Sequence, residues 1–166
     1  MEQKPRLLVA GSLAYDHLAG DENVYFGGCG GNIAYSAHLL GEKIHLLGMC
    51  GDDFDEYKIW LQKNEIDTSG IIHVKNSHTS RAHISTDEKG KQIAGFEEGA
   101  TSHAAAYKNQ IEEIIASHAA HITLALISPN NPDFIRIVTE ACRTHKIPYL
   151  FDPGQVLTQF TKDELH

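Results

Sequence analysis

An α/β fold with a mostly parallel sheet is predicted by the order in which strand-like and helix-like segments follow each other. The two kinds of segment alternate along most of the 166 residues, which is typical of strands joined by right-handed helical crossovers. The strand-like runs at 7–10 and 122–127 are almost wholly apolar, as expected for strands that helices cover on both faces. A turn-forming stretch at 87–90 indicates a hairpin that departs from this alternation.

The first half of the chain contains two strands and two helices in alternation. Gly41 is a typical stop signal for the first helix, and the apolar run after it predicts a buried strand. The turn at 51–54 then leads into the second helix. The predicted elements are a strand at 6–11, a helix at 32–40, a strand at 44–50 and a helix at 54–64.

The second half begins with three short strands, of which the last two flank the hairpin turn. Helix and strand patterns alternate again after them. The predicted elements are short strands at 71–74, 82–86 and 91–95, a helix at 104–117, a strand at 121–127, a helix at 132–145 and a strand at 148–151. Because ligands of open α/β sheets bind beyond the carboxyl ends of the strands, a site is expected at that edge.

Length and composition limit the classes of function. A chain of 166 residues can fold as one domain with a sizeable core, and a net charge of −8 argues against a nucleic-acid partner. No apolar run reaches the ~18 residues of a membrane span, and no signal peptide opens the chain. The widely spaced Cys29, Cys50 and Cys142 predict reduced thiols in a cytoplasmic protein, and neither they nor the 11 histidines form a metal-ligand pattern.

A glycine-rich loop precedes the first helix and is the most informative stretch of the chain. Residues 26–32 read Phe-Gly-Gly-Cys-Gly-Gly-Asn. Without a Cβ the backbone accepts positive φ and lets a polar ligand approach, so that N–H groups can point at a hydroxyl or an anion. The alternative is a flexible turn before a helix. A dinucleotide-binding fingerprint is excluded because Ile33 stands in place of its third glycine, and a P-loop is excluded because Gln92 follows Lys91.

The loop and the elements after it resemble the N-terminal signature of the PfkB or ribokinase family of small-molecule kinases. Asp16 stands where the family has its substrate-binding aspartate. The stretches 85–92, 96–100, 127–130 and 149–155 are similar to bacterial adenosine-kinase-like members. The family's Gly-Gly-x-x-x-Asn loop, Leu-Gly helix end and Gly-x-Asp turn are matched at Gly27-Gly28, Asn32, Leu40-Gly41 and Gly51-Asp52-Asp53.

This resemblance implies a fold, an activity and cofactors. The expected fold is ribokinase-like, with three αβα layers, a mostly parallel sheet and a small β lid formed roughly by residues 71–100. The expected activity is transfer of the γ-phosphoryl group of ATP, with Mg²⁺, to the primary hydroxyl of a nucleoside or sugar, most specifically of adenosine to give AMP. A ribokinase- or fructokinase-like sugar kinase is the alternative. The expected partners are small molecules, with no nucleic acid and no membrane, and formation of a homo-oligomer stays open.

Five residues are expected from the resemblance to bind the substrate, and their chemistry suits a ribose. An ionised Asp16 accepts two hydrogen bonds from a vicinal diol, and Asn32 offers one acceptor and two donors. Gly27 and Gly28 give access to backbone N–H groups, and Ser12 matches a position that contacts the nucleoside. The structural alternatives are a helix cap or surface turn for Asp16 and a plain N-cap for Asn32.

Three other residues have less specific expectations. Phe96 and Arg81 lie on lid strands and could face the base or the sugar, although core packing of Phe96 and solvation of Arg81 explain them equally well. Asp152 could help to order Mg-ATP, but a cap on the turn that follows it is favoured. No catalytic, metal-binding or nucleotide-binding residue is assigned.

The chain also departs from the family pattern. The family places a Gly-x-Gly-Asp motif in its C-terminal half, where backbone N–H groups stabilise developing charge and the Asp acts as the base, and no such motif occurs here. Residues 1–166 are therefore expected to be the N-terminal part of one ribokinase-like domain, without the catalytic part and inactive alone. The alternative from another class is a non-catalytic module that binds a nucleoside or assembles with a partner.

Overall fold

A computed structural model describes residues 6–165 of the chain. Nine strands and four α-helices occur within these residues. The strands are β1 (Arg6–Ala10), β2 (Ala14–Leu18), β3 (Val24–Gly27), β4 (Ile44–Cys50), β5 (Ile71–His73), β6 (Ser80–Thr86), β7 (Gln92–Glu97), β8 (Ile122–Ile127) and β9 (Tyr149–Phe151). The α-helices are α1 (Cys29–Leu39), α2 (Asp55–Lys63), α3 (Lys108–His118) and α4 (Pro132–Thr144).

Five strands form the main sheet in the order β5-β4-β1-β8-β9, and all of its pairings are parallel. Side chains of the central strand β1 alternate between two hydrophobic cores. Leu8 packs with residues of α3 and α4, whereas Val9 packs with residues of α1 and α2. Helices therefore cover both faces of the sheet, and the predicted three-layer α/β fold is confirmed.

A second sheet of four strands, called the lid sheet below, has the order β3-β2-β6-β7. Its outer pairs are antiparallel hairpins, and its two inner strands run parallel. The hairpin predicted around 87–90 is confirmed as β6 and β7. The sequence does not predict β2 and β3, because Asp16 and His17 interrupt the apolar pattern of β2 and because β3 has only four residues.

The expected lid range of about 71–100 is wrong at its start. β5 belongs to the main sheet, where it pairs with β4, and the lid sheet instead includes residues 14–27. The physical reason is burial, because Ile72 and Val74 join the core of the main sheet. The residues of β7, in contrast, are all exposed.

The beginnings of two helices differ from the sequence prediction. α1 begins at Cys29, three residues before the predicted start. Gly99–Tyr107 forms 3-10 turns before α3, where the sequence predicts a single helix at 104–117. The hydroxyls of Thr101 and Ser102 donate to carbonyls three residues earlier, which favours the tighter turns. Within residues 6–165, no helix has both the length and the apolar character needed to span a membrane.

Candidate functional site

Asp16 lies in the middle of the lid strand β2, so the cap and turn alternatives do not describe it. Its side chain is half-buried, and no group within residues 6–165 donates a hydrogen bond to its carboxylate. Burial raises the pKa of Asp16, and the nearby His17 partly opposes this rise. A partly desolvated carboxylate that lacks a donor is a strong acceptor for the hydroxyl groups of a ligand.

The Asp16 carboxylate lies directly against Gly27, the last residue of β3. A Cβ added to Gly27 would meet Oδ1 of Asp16 at 2.6 Å, well inside any ordinary contact distance. Because every residue other than glycine carries that Cβ, a substitution at Gly27 would displace the carboxylate. Gly27 therefore helps to define where Asp16 sits.

The N–H groups at the start of α1 are occupied by Ser12. The Cys29 N–H donates to the Ser12 hydroxyl at 3.1 Å, and the Gly30 N–H donates to the Ser12 carbonyl at 2.9 Å. Gly28, which precedes both residues, adopts φ +85°, a conformation that glycine favours. The expectation that these N–H groups point at a ligand is thus not met at Cys29 and Gly30, because Ser12, in the segment after β1, already accepts their hydrogen bonds.

The glycines of the loop allow close approach between parts of the chain itself. A Cβ on Gly30 would meet the carbonyl carbon of Gly11 at 2.7 Å, and a Cβ on Gly28 would meet the backbone nitrogen of Ala14 at 2.7 Å. The loop therefore packs tightly onto the segment that joins β1 to β2. Ser12 is buried in this contact, where its hydroxyl stabilises the loop by accepting the Cys29 N–H.

Asn32 lies inside the first turns of α1 and is exposed. Its N–H donates to the Gly28 carbonyl and its carbonyl accepts from the Ser36 hydroxyl, but within residues 6–165 its side-chain amide has no partner. The N-cap alternative is wrong, because Gly28 holds the N-cap position. The Asn32 amide is thus available to a ligand beside the glycine loop.

Cys29 shows that residues from distant parts of the chain meet at this edge of the main sheet. Burial raises the pKa of the Cys29 thiol, and the negative charges of Asp152 and Asp16 raise it further. Asp152 follows β9, and its carboxylate accepts the Gly154 N–H at 2.9 Å. Asp152 therefore caps the turn after β9, which is the role that the sequence favoured for it.

The register of the lid sheet places Phe96 on the same face as Asp16. Asp16 pairs with Ala82, and Ala82 pairs with Phe96, so the three side chains form one row across the strands. The Phe96 ring is 50% exposed and does not belong to either core. Arg81 lies on the opposite face, where it pairs with Asp53 at 3.3 Å, so it does not face the Asp16 side of the lid.

Tyr57, a residue of α2, contacts the glycine loop and has no sequence signal that marks it. Its hydroxyl donates to the Gly27 carbonyl at 2.9 Å. In the sequence it stands between Phe54 and Trp60 at helical spacing, a pattern that indicates core packing. Only the folded structure brings its hydroxyl to the loop.

The two described cavities lie away from this site. One cavity of about 170 Å³ runs along α4, and one of about 380 Å³ lies beside Arg6 and Asp67. Within residues 6–165 no three His, Cys, Asp or Glu side chains form a cluster that could hold a metal ion. The candidate site is thus an open surface that consists of the glycine loop, Asn32 and the Asp16 face of the lid sheet.

Comparisons with known proteins identify relatives of this chain. A nucleoside kinase of Methanocaldococcus jannaschii is 30% identical over 144 residues, which cover 85% of this chain and 44% of that protein. The chain thus spans less than half the length of this relative. The structure of a Burkholderia thailandensis nucleoside kinase in complex with inosine superposes with a TM-score of 0.81 at 28% identity, over 96% of this chain and 56% of that one.

A second structure of the Burkholderia enzyme, in complex with ADP-inosine, gives a TM-score of 0.80 at 26% identity over the same shares of both chains. The family model described as pfkB family carbohydrate kinase matches residues 7–163. This match covers nearly the whole sequence, including the glycine loop, Asp16 and the lid sheet. The chain is therefore a member of the pfkB family of carbohydrate kinases.

Proposed function

We propose that this chain forms the substrate-binding part of an ATP-dependent nucleoside kinase, with adenosine as the preferred substrate and the 5′-hydroxyl as the phosphoryl acceptor. The observation that carries the proposal is the Asp16 carboxylate, which is half-buried, lacks a donor within residues 6–165 and lies beside the glycine loop. Such a group accepts the two hydroxyls of a ribose 2′,3′-diol, and it replaces the water that a diol loses on binding.

The neighbouring side chains support a nucleoside over a free sugar. Asn32 offers its amide at the start of α1, and Phe96 presents an exposed ring in the row that contains Asp16. An aromatic ring on the same face as a diol-binding carboxylate and two strands away from it suits a ligand with a flat base attached to a ribose. The relatives are called nucleoside kinases, and one of them has been crystallised with inosine. The preference for adenosine rests on the sequence similarity to adenosine-kinase-like members.

The roles of ATP and Mg²⁺ belong to the proposal for the whole enzyme, which works in the cytoplasm. ATP would supply the phosphoryl group, in line with a relative crystallised with ADP-inosine. The residues described here do not fit a magnesium site, because they contain no cluster of three metal ligands, and Asp152 is engaged by the Gly154 N–H. With no Gly-x-Gly-Asp in the sequence, this chain alone would bind the nucleoside and would not phosphorylate it.

A sugar kinase specific for ribose or fructose is the second candidate. It is favoured because the Asp16 carboxylate would accept hydrogen bonds only from a diol, and free sugars also possess a diol. A non-catalytic nucleoside-binding module is the third candidate.

The proposal is tested by calorimetric titration of the 166-residue chain with adenosine, inosine and ribose. We expect saturable binding of the two nucleosides, with adenosine tighter, and much weaker binding of ribose. Asp16→Asn should weaken adenosine binding by roughly 10- to 100-fold, since a hydrogen bond to a charged group contributes about 1.5–3 kcal/mol. Glu22→Gln, which removes an exposed carboxylate from the turn between β2 and β3, is the matched control and should leave binding unchanged.

Each alternative outcome has a clear meaning. Tighter binding of ribose than of adenosine would favour the sugar kinase. Turnover of ATP and adenosine by the chain alone would contradict the prediction of inactivity. Binding that survives in Asp16→Asn would remove Asp16 from the site.

A further inference from the structure

The side chain of Tyr57 links α2 to the last two residues of β3. Its hydroxyl donates to the Gly27 carbonyl at 2.9 Å, and its ring stacks on Phe26, with centroids 4.7 Å apart and an angle of 8° between the planes. Tyr57 is 1% exposed. A buried residue that holds both the backbone and the side chain of neighbouring residues fixes that segment of the strand in position.

The same hydroxyl lies between the two ends of the glycine loop. A Cβ on Gly31 would collide with the Tyr57 hydroxyl oxygen, and a Cβ on Gly27 would collide with the Asp16 carboxylate. The Tyr57 hydroxyl and the Asp16 carboxylate thus both pack against loop glycines at short range. Burial raises the pKa of Tyr57, and the charge of Asp16 raises it further, as expected for two groups that lie close to each other.

The contacts form a short chain from α2 to the substrate-binding carboxylate. Tyr57 holds the Gly27 carbonyl, and Gly27 provides the surface against which the Asp16 carboxylate lies. Loss of the Tyr57 hydroxyl would leave the Gly27 carbonyl without this donor in a buried position.

We propose that Tyr57 is a positioning residue for nucleoside recognition, which acts through Gly27 to hold the Asp16 carboxylate in the orientation that receives the ribose diol. The inference rests on the function proposed above. Tyr57 itself does not need to touch the nucleoside. Its contribution is to keep the binding geometry ready before the ligand arrives, which avoids the free-energy cost of ordering the carboxylate on binding.

The variant Tyr57→Phe tests this role, because it keeps the ring that stacks on Phe26 and removes only the hydroxyl. Tyr15→Phe is the matched control. Tyr15 belongs to the same aromatic cluster, 6.0 Å from Tyr57, and its hydroxyl also donates to a backbone carbonyl, that of Asp53 at 2.7 Å. Both variants therefore lose one hydrogen bond of the same chemical type, but only one of them affects Gly27.

Two quantities are measured in each variant. The first is the pKa of the Asp16 carboxyl group, from its NMR titration without ligand, and the second is the dissociation constant of adenosine. We expect Tyr57→Phe to move the pKa of Asp16 down towards its ordinary value, because water reaches the loosened carboxylate, and to weaken adenosine binding about tenfold. Tyr15→Phe should leave both quantities unchanged even if it lowers the global stability.

A third variant keeps the test decisive if Tyr57→Phe does not fold. Tyr57→4-aminophenylalanine retains the ring and a weaker N–H donor, so it should fold. Its Asp16 pKa and its dissociation constant for adenosine should lie between those of the unmodified chain and those expected for Tyr57→Phe. Fluorescence of Trp60, the single tryptophan of the chain, reports whether the cluster stays packed, because Trp60 lies 5.9 Å from Tyr57.

Equal behaviour of the Tyr57 and Tyr15 variants in both measurements would overturn the inference and leave Tyr57 with a structural role only. The two proposals fail separately. If the unmodified chain binds no nucleoside, the proposed function is wrong, and the Asp16 titration alone still decides whether Tyr57 positions the carboxylate.

Discussion

Ser12 and Gly30 are joined by a hydrogen bond of 2.9 Å from the Gly30 N–H to the Ser12 carbonyl. This bond connects the segment after β1 with the first turn of α1. The Cys29 and Gly30 N–H groups therefore stabilise the contact between these two segments and are not free to bind an anion. The proposed substrate site consequently relies on the side chains of Asp16 and Asn32 more than on the loop backbone.

Gly30→Ala should destabilise the fold by about 1–3 kcal/mol. The new Cβ would meet the Gly11 carbonyl carbon at 2.7 Å, and neither backbone segment can move away without breaking the contact between β1 and α1. Gly95→Ala is the control, since a Cβ there has no atom within 4 Å, and its effect should stay within about 0.5 kcal/mol. Urea unfolding measures the free energy of unfolding of both variants. Equal values for Gly30→Ala and Gly95→Ala would show that the loop can shift to accept the added Cβ.

Ser12→Ala should also cost stability, by about 1–3 kcal/mol, because it leaves the Cys29 N–H without its side-chain acceptor. Ser102→Ala removes an exposed hydroxyl that donates to the Gly99 carbonyl, and it should have little effect. Hydrogen exchange of the Cys29 amide gives a local readout. An amide that exchanges equally slowly in Ser12→Ala would show that another group has taken over the acceptor role.

Much of the main sheet could be predicted from the sequence, and the lid sheet only in part. β8 is an apolar run apart from Thr123, as expected for a strand of a sheet that helices cover on both faces. β2 lacks this signal, because its polar residues Asp16 and His17 are only half-buried and interrupt the apolar pattern. Strand pairing between β2 and β6 joins residues that are more than 60 positions apart, and local patterns carry no information about such a contact.

The candidate site shows the same division. Asp16 and Asn32 could be found because they stand at fixed positions relative to a motif. Tyr57 could not, since its role depends on the direction of one hydroxyl in the folded protein. The orientation of the N–H groups at Cys29 and Gly30 was equally out of reach, because a glycine-rich sequence permits many backbone conformations.

Arg136→Ala should loosen residues 154–165 from α4. The guanidinium donates to the Glu164 carboxylate at 2.7 Å and to the Gln159 carbonyl at 3.0 Å, and it lies over the Phe160 ring. We expect amide exchange in this segment to become about tenfold faster, while Lys162→Ala, an exposed change in the same segment, leaves it unaltered. Unchanged exchange in Arg136→Ala would mean that packing of Phe160 against the hydrophobic core is enough to hold this segment in place.

His45 should make the stability of the fold depend on pH. It is fully buried, stacks on His118 at 4.0 Å and contacts Asp67, while its Nε2 has no partner within residues 6–165. Burial, and secondarily the charge of His118, lower the pKa of His45. The unfolded chain therefore binds more protons than the folded one, so the free energy of unfolding falls as pH drops below about 6.5. Hydrogen bonds from Ser69 and His45 lower the pKa of Asp67 to about 2, so Asp67 contributes a separate loss of stability only in stronger acid.

Urea unfolding between about pH 5 and pH 8 measures how the free energy of unfolding changes with pH. We expect His45→Gln to reduce this slope and the exposed control His73→Gln to retain it. A slope that stays unchanged in His45→Gln would assign the pH dependence to other groups.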